Sequence, residues 1–175
     1  MTWKSFHHRG EILRTVTAAA DARRDGLLPM DVEGVAETFG DELTLLGALQ
    51  LRWHTRLAGR IERELMHQPM DLERAVVTAW QDTADEMPGV FAIVDHYRAE
   101  PLDEAMADAM AKSAVKEHTM LAVMAGRASA QDAAAPRVGA AIEESARSTY
   151  RPARVGASEH SSRGLLDRIK AAMAA

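Results

Sequence analysis

A chain of 175 residues with a formal net charge of −5 is long enough to form one domain with an apolar core of its own. Because it contains no cysteine, it cannot form a disulfide framework, a thiolate zinc site or an iron–sulfur cluster, and it cannot use a cysteine nucleophile. Its charge is unevenly placed: residues 145–175 hold six basic side chains against two acidic ones, a net +4, which leaves −9 on residues 1–144. We therefore expect an acidic body with a basic tail.

The N-terminal segment MTWKSFHHRGE lacks the uninterrupted apolar core of a signal peptide. No apolar run approaches the roughly 20 residues that span a bilayer. We therefore expect a cytoplasmic protein with no membrane span.

The first predicted helix runs from near Thr2 or Ser5 to Arg24. Either hydroxyl can cap its first backbone N–H groups, and Asp25-Gly26 supplies a stop signal. No segment of the chain alternates polar and apolar residues over a useful length, and β-branched and aromatic residues are sparse. No strand is therefore predicted.

A long central helix is predicted over residues 31–68. Asp31 can cap it, no proline interrupts it, and its apolar residues recur three or four apart. Between Leu43 and Leu51 the apolar residues face several sides of the helix, which indicates neighbouring helices on several sides.

Three further helical segments are predicted after the central helix. The first follows its cap, Asp71, and is interrupted by Pro88-Gly89, because proline removes a donor and disfavours helix in the residue before it. Residues 90–98 then form either a kinked continuation or a separate short helix. The remaining helices are predicted from just after Pro101 to about Gly126 and over residues 136–146.

These elements predict an all-α fold, an antiparallel bundle of four to five helices that includes the long central helix. The serine-rich stretch around Pro152 and Gly156 has no apolar period and is predicted to be a linker. The sequence GLLDRIKAAMAA that follows places its apolar residues on one face of a short helix. The predicted division is a bundle domain over 1–145, a flexible basic linker over 146–162 and an amphipathic C-terminal helix over 163–175.

The run His7-His8-Arg9-Gly10-Glu11 resembles the HHRG-Q/E run of the DinB-like family. Members of that family are four-helix bundles that use histidines to hold a divalent metal. In the family the run lies on a late helix and follows another histidine ligand, whereas here it starts the chain. The resemblance covers five residues, so the metal-binding function is not carried over, and an exposed histidine–carboxylate pair is predicted.

On the helix predicted from just after Pro101 to about Gly126, Glu117 lies in a mostly apolar row that faces the core of the protein. A buried carboxylate without a partner is costly, so it should find a histidine such as His54, an arginine, the Trp80 indole or a metal. The Glu-x-x-His motifs of di-metal bundles are absent. We therefore predict a structural polar pair with no metal and no cofactor. A di-metal site would need further inward-facing ligands, for which the candidates are His118, Asp85 and Glu86.

Four arginines lie four, four and three residues apart on the outer face of the central helix: Arg52, Arg56, Arg60 and Arg63. Such a ridge can bind phosphates or an acidic partner. The other interpretation is a solvated face, in which Arg60 pairs with Glu64 or with acids of the next helix, such as Asp82 and Asp85.

A helix-turn-helix is a further alternative, because Val35-Ala36 and Gly40 imitate the first helix and the turn of a repressor. Against it, Asp41 stands where the turn needs an apolar residue, and the supposed recognition helix is rich in leucine and should be buried. An acidic body also disfavours the DNA backbone. Nucleic-acid binding is therefore not expected.

The function that the sequence favours is non-enzymatic: an interaction or regulatory protein that docks a protein partner through its basic tail. A helix of about 12 residues is marginal alone in water, so the apolar face of the C-terminal helix needs to be covered. The alternatives are a metal-binding bundle, ferritin-like or DinB-like, and a helix-turn-helix regulator. The predicted partner-binding residues are Arg163, Leu165, Leu166, Arg168, Ile169, Lys170 and Met173.

Overall fold

The computed structural model of the chain describes residues 3–152, with side chains from residue 8 onward. That part of the chain contains helices and turns but no strand, which confirms the all-α prediction. None of its helices is both long and apolar enough to cross a membrane. It forms seven helices where four to five were predicted: α1 Trp3–Arg23, α2 Val35–Phe39, α3 Glu42–His67, α4 Leu72–Glu86, α5 Pro88–Ala99, α6 Glu104–Met124 and α7 Ala135–Thr149.

The single helix predicted over residues 31–68 is wrong, because the chain breaks between α2 and α3. Gly40 has a φ of 81°, in the left-handed region, and Asp41 follows in extended conformation. The Asp41 carboxylate then accepts a hydrogen bond of 2.7 Å from a backbone N–H three residues on, which caps α3. Asp31 caps no helix, since its carboxylate binds Arg23 at 2.6 Å. A glycine that takes positive φ without steric cost, followed by an N-cap, ends one helix and begins another without any proline.

The centre of the core is α3, which packs against α1, α2, α4, α5 and α6. This confirms the prediction of neighbours on several sides. Leu51 departs from it, because its side chain is 68% exposed. The residues that α3 buries are Leu45, Leu46, Leu49, Trp53, Leu57 and Ile61.

Four aromatic rings from different parts of the chain meet beside α3. Trp53 stacks on Phe91 with ring centroids 5.7 Å apart, and both rings meet Trp80 edge-on. Tyr150, just after α7, contacts Trp80 and Phe91 edge-on at 6.0 and 6.3 Å. Such pairs contribute roughly 0.5–1.5 kcal/mol each beyond the area that they bury. The cluster therefore joins the end of α7 to the centre of the core.

Pro88 separates α4 from α5. Met87 lies between them with non-helical dihedral angles (φ −128°, ψ 53°), so α5 is a separate helix and not a kinked continuation. At the other end of α4, Asp71 accepts a hydrogen bond of 3.1 Å from the backbone N–H of Arg74, which confirms the predicted cap. Leu72 is 38% exposed. Further along α4, the side chains of Val76, Ala79, Trp80 and Thr83 are buried.

The helix α7 continues past residue 146, where the linker was predicted to begin. Ala146 is fully buried, and its carbonyl oxygen accepts a hydrogen bond of 2.9 Å from the side chain of Gln81. Tyr150 then donates a hydrogen bond of 2.9 Å to Asp85. This stretch belongs to the packed body because its side chains contact α4. The C-terminal helix predicted over residues 163–175 lies outside the described residues.

Candidate functional site

Glu117 is buried and paired, as predicted. Its side chain is almost fully inaccessible, its Oε2 lies 2.6 Å from Nε2 of His54, and it accepts a hydrogen bond of 3.1 Å from the indole N–H of Trp53. The His54 side chain is 25% exposed, so it is mostly buried, though less so than Glu117. The Trp80 indole considered for this role does not donate to Glu117, since its N–H is buried without a hydrogen-bond partner in the described part of the chain.

A second buried carboxylate, Glu143 of α7, was not predicted. Its Oε1 accepts hydrogen bonds of 2.8 Å from both Arg98 and Arg147, and its Oε2 lies 2.6 Å from Nε2 of His118. Burial acts to raise the pKa of Glu143, but the hydrogen bond with His118 and the charges of the two arginines outweigh it and lower the pKa to about 2. Glu143 is therefore a carboxylate that ties α5, α6 and α7 together.

Arg147 extends this network to the aromatic cluster. Its guanidinium binds Asp95 at 2.8 Å as well as Glu143, and it lies 5.2 Å from the ring centroids of both Trp80 and Phe91. Burial acts to lower the pKa of Arg147, but the Glu143 carboxylate outweighs it and raises the pKa. A cation held between carboxylates and aromatic faces favours one fixed side-chain position.

The geometry of α6 and α7 explains how His118 reaches Glu143. A Cβ at Gly139 would overlap the backbone of His118, so the two helices touch at this point. Glu143 lies four residues later on the same face of α7. The network borders a small cleft of about 270 Å³, but the Arg98 and Arg147 guanidiniums beside it are already bound to acids.

A local signal for Glu143 exists in the sequence, although its partners do not follow from it. Counted from Gly139, the residues three, four and seven positions later are Ile142, Glu143 and Ala146, which is the spacing of one helix face. The structure buries all four of these residues. The side chains that neutralise Glu143 come from α5 and α6 as well as from α7. Spacing within one helix cannot indicate such partners.

The ligands considered for a di-metal site do not converge. Glu117 faces α3 and His118 faces α7, since neighbouring residues of a helix point about 100° apart. Asp85 accepts a hydrogen bond from Tyr150, and Glu86 binds two arginines of α3. Among the residues that the structure describes, no group of three or more histidine, aspartate or glutamate side chains is arranged to hold a metal ion.

The arginine ridge of α3 is partly engaged by acids of α4. Glu86 binds Arg56 and Arg60, the latter at 2.5 Å, and Arg60 also lies 3.7 Å from Asp82. Of the two pairings considered for Arg60, the structure shows the one with acids of the next helix and not the one with Glu64. Burial acts to raise the pKa of Glu86, but the hydrogen bonds from both arginines outweigh it and lower the pKa.

The other two arginines of the ridge line a groove of about 700 Å³ between α1 and α3. Arg52 and Arg63 are both exposed, and neither forms an ion pair with any residue that the structure describes. Leu13 of α1 and Leu51 of α3 contribute apolar surface to the same groove. The groove therefore combines apolar lining with two cations, Arg52 and Arg63, that form no ion pair with the carboxylates of the lining.

The helix-turn-helix alternative places its recognition surface on α3. Residues Leu45, Leu46 and Leu49 at the start of that helix are buried in the core. Side chains that fill a core cannot reach base edges in a groove of DNA. The observed packing thus agrees with the argument from the leucine content of this segment.

The HHRGE run lies on α1. His8 is exposed, and Glu11 is exposed and lies 3.9 Å from Arg14. The side chain of His7 lies outside the described residues, as do the predicted partner-binding residues from Arg163 to Met173. No protein-family model matches the chain, and neither a curated protein nor a solved structure matches it.

Proposed function

We propose that this chain is a non-enzymatic interaction or regulatory protein of the cytoplasm, an antiparallel helical bundle whose basic tail docks a protein partner. The observation that carries the proposal is that the buried carboxylates hold helices together and serve a structural role. Glu117 and Glu143 are each held by side chains of neighbouring helices, and these contacts fasten helices to one another. A buried hydrogen-bonded network of this kind stiffens a fold, which suits a scaffold that presents a docking segment.

The composition of the tail supports its role as the docking segment. A helix over residues 163–175 would be marginal alone in water, and amphipathic helices of this kind commonly bind in an apolar groove of another protein. Its basic residues favour a groove with acidic borders. The residues proposed to make these contacts are Leu165, Leu166, Ile169 and Met173 on the apolar face, with Arg163, Arg168 and Lys170 beside them.

Truncation after Pro152 tests this proposal, because the cut leaves Ala146 and Tyr150 in the packed body. The truncated chain should melt at the temperature of the full-length protein, and it should no longer bind the partner that the full-length protein binds in cell extract. The partner, identified by mass spectrometry and purified, is then titrated calorimetrically against both forms.

A matched pair of substitutions locates the contact within the tail. Ile169→Asp places a charge on the apolar face of the predicted helix, and Ser161→Asp places the same charge in the predicted linker. The Ile169→Asp variant should no longer bind the purified partner, and the Ser161→Asp variant should bind it as the wild type does. A truncated body that melts several degrees lower, or an Ile169→Asp variant that binds normally, would contradict the proposal.

The metal-binding alternative leads to a different result. Elemental analysis of the purified full-length protein would then find stoichiometric iron, manganese or zinc. A metal that disappears in a Glu117→Ala variant would replace the interaction proposal by a metal-binding one.

A further inference from the structure

The groove between α1 and α3 is open along the side of the most central helix. Leu51, Thr55 and Gly59 lie four residues apart and line it from one face of α3. Leu51 is largely exposed, and a Cβ added to Gly59 would meet no atom within 4 Å. Along α3 the lining extends from Ala48 to Arg63, about 22 Å at 1.5 Å per residue, which is the length of about four helical turns.

The charges along this groove call for an acidic occupant. Arg52 and Arg63 have no ion pair within the described part of the chain. The two carboxylates of the lining are already engaged: Asp21 accepts a hydrogen bond of 2.8 Å from the backbone N–H of Gly89, and Glu86 binds two arginines of α3. The groove thus offers cations beside apolar surface, and neither of its two carboxylates forms an ion pair with Arg52 or Arg63.

We propose that this groove docks an acidic amphipathic helix of a partner protein. Apolar side chains of that helix cover Leu13 and Leu51, and carboxylates on its flanks pair with Arg52 and Arg63. The missing side chain at Gly59 lets the two helices approach closely. This surface is separate from the basic tail, so the inference goes beyond the proposed function. The helix predicted in the tail has the wrong charge for the groove, because it carries Arg163, Arg168 and Lys170.

A designed peptide tests the groove in the full-length protein. The probe is a labelled helical peptide of roughly 16 residues, about four turns, with leucines on one face and glutamates on both flanks. A second peptide with lysine in place of every glutamate is its control. Fluorescence anisotropy should show binding of the glutamate peptide and none of the lysine peptide.

Charge reversal in the protein supplies the matching test. The double variant Arg52→Glu/Arg63→Glu should weaken binding of the glutamate peptide by at least about tenfold, since both arginine partners of its glutamates are replaced by carboxylates. The control is Arg74→Glu/Arg137→Glu, which reverses two exposed arginines on α4 and α7 outside the groove. That control should bind as the wild type does, although its net charge changes by the same amount.

Filling the groove tests the shape independently of charge. At Gly59 and at Gly47, both on α3, an added Cβ has no atom within 4 Å, so leucine can be introduced at either position without a clash at Cβ. Gly59→Leu should abolish peptide binding without lowering the thermal midpoint. Gly47→Leu, outside the groove lining, should bind normally.

Four results would overturn the proposal. Two are equal binding of the glutamate and lysine peptides and unchanged binding by Gly59→Leu. A third is displacement of the probe by a peptide of residues 163–175, which would make the tail of the chain itself the occupant. The fourth is binding to phosphatidylglycerol vesicles that is lost in Gly59→Leu, which would make the occupant a lipid surface.

Discussion

Gly139 of α7 lies against the backbone of His118 on α6, so closely that a Cβ at residue 139 would overlap the His118 carbonyl group. This approach brings Glu143, one turn further along α7, to within 2.6 Å of the His118 ring. The close packing of the two backbones and the buried hydrogen-bond network are therefore parts of one arrangement. A change in either should disturb the other.

Gly139→Ala should destabilise the protein by roughly 1–3 kcal/mol or more, because the added methyl group forces α6 and α7 apart. Gly47→Ala is the matched control, since the new methyl group meets no atom within 4 Å. It should stabilise the protein by roughly 0.5–1 kcal/mol through the better helix propensity of alanine. Urea unfolding measures both free energies. A Gly139→Ala variant that is stabilised as Gly47→Ala is would show that α6 and α7 do not touch at residue 139.

Glu143→Gln should lower the free energy of unfolding by roughly 3–5 kcal/mol, because Arg98 and Arg147 lose the carboxylate that they share. The adjacent Glu144 is exposed, so Glu144→Gln should change the stability by less than about 0.5 kcal/mol. Denaturant titration of the two variants makes the comparison. Equal effects would place the two carboxylates in similar surroundings and would rule out the network.

The same carboxylate should make the stability depend on pH in the acid range. The pKa of Glu143 is lowered to about 2 in the folded protein from an ordinary value of 4.5, so the unfolded chain binds its proton at a higher pH than the folded protein does. Its contribution of about 3 kcal/mol is fully present above pH 4.5 and is lost as the pH falls toward 2. The difference in stability between the wild type and Glu143→Gln should therefore shrink between pH 4.5 and pH 2. A constant difference over that window would contradict the lowered pKa.

Glu117→Ala should cost on the order of 1–3 kcal/mol, because the indole N–H of Trp53 and the ring of His54 lose their common partner. Lys116→Ala, at the adjacent exposed position, is the control and should be nearly neutral. Thermal unfolding compares the two. A melting temperature unchanged by Glu117→Ala would place this side chain at the surface.

Leu46→Ala should lose roughly 2–5 kcal/mol, as large-to-small changes in a packed core do. Leu46 is 1% exposed, whereas Leu51 on the same helix is largely exposed, so Leu51→Ala should have little effect. Hydrogen exchange should also be slowest in the part of α3 around Leu46. A loss below 1 kcal/mol for Leu46→Ala would mean that the core lies elsewhere.

Helix boundaries were predictable where one residue carries the signal. Asp71 and Pro88 marked the ends of α4 and the start of α5 because a side-chain cap and a missing N–H act locally. The break at Gly40 entered only the helix-turn-helix alternative and not the predicted long helix, because the apolar spacing continues across it. A period of three to four residues does not reveal that one glycine has turned the chain.

The candidate sites likewise were predictable where the signal lies within one helix and were not where several helices contribute. Glu117 was found because a carboxylate in a row of apolar residues is anomalous within its own helix. The partners of Glu143 come from three helices, and the groove beside Leu51 is lined by residues of both α1 and α3. Relationships between helices depend on how the chain packs, and the spacing of residues along one helix does not contain them.

The cluster of aromatic rings beside α3 gives the folded chain an optical signal of its own. Trp53 and Trp80 are both buried, and Tyr150 covers Trp80 from the end of α7. The third tryptophan is Trp3, so a Trp3→Phe background would leave emission from the core alone. In that background a shift of emission to longer wavelength would report the moment at which α7 detaches and water reaches Trp80.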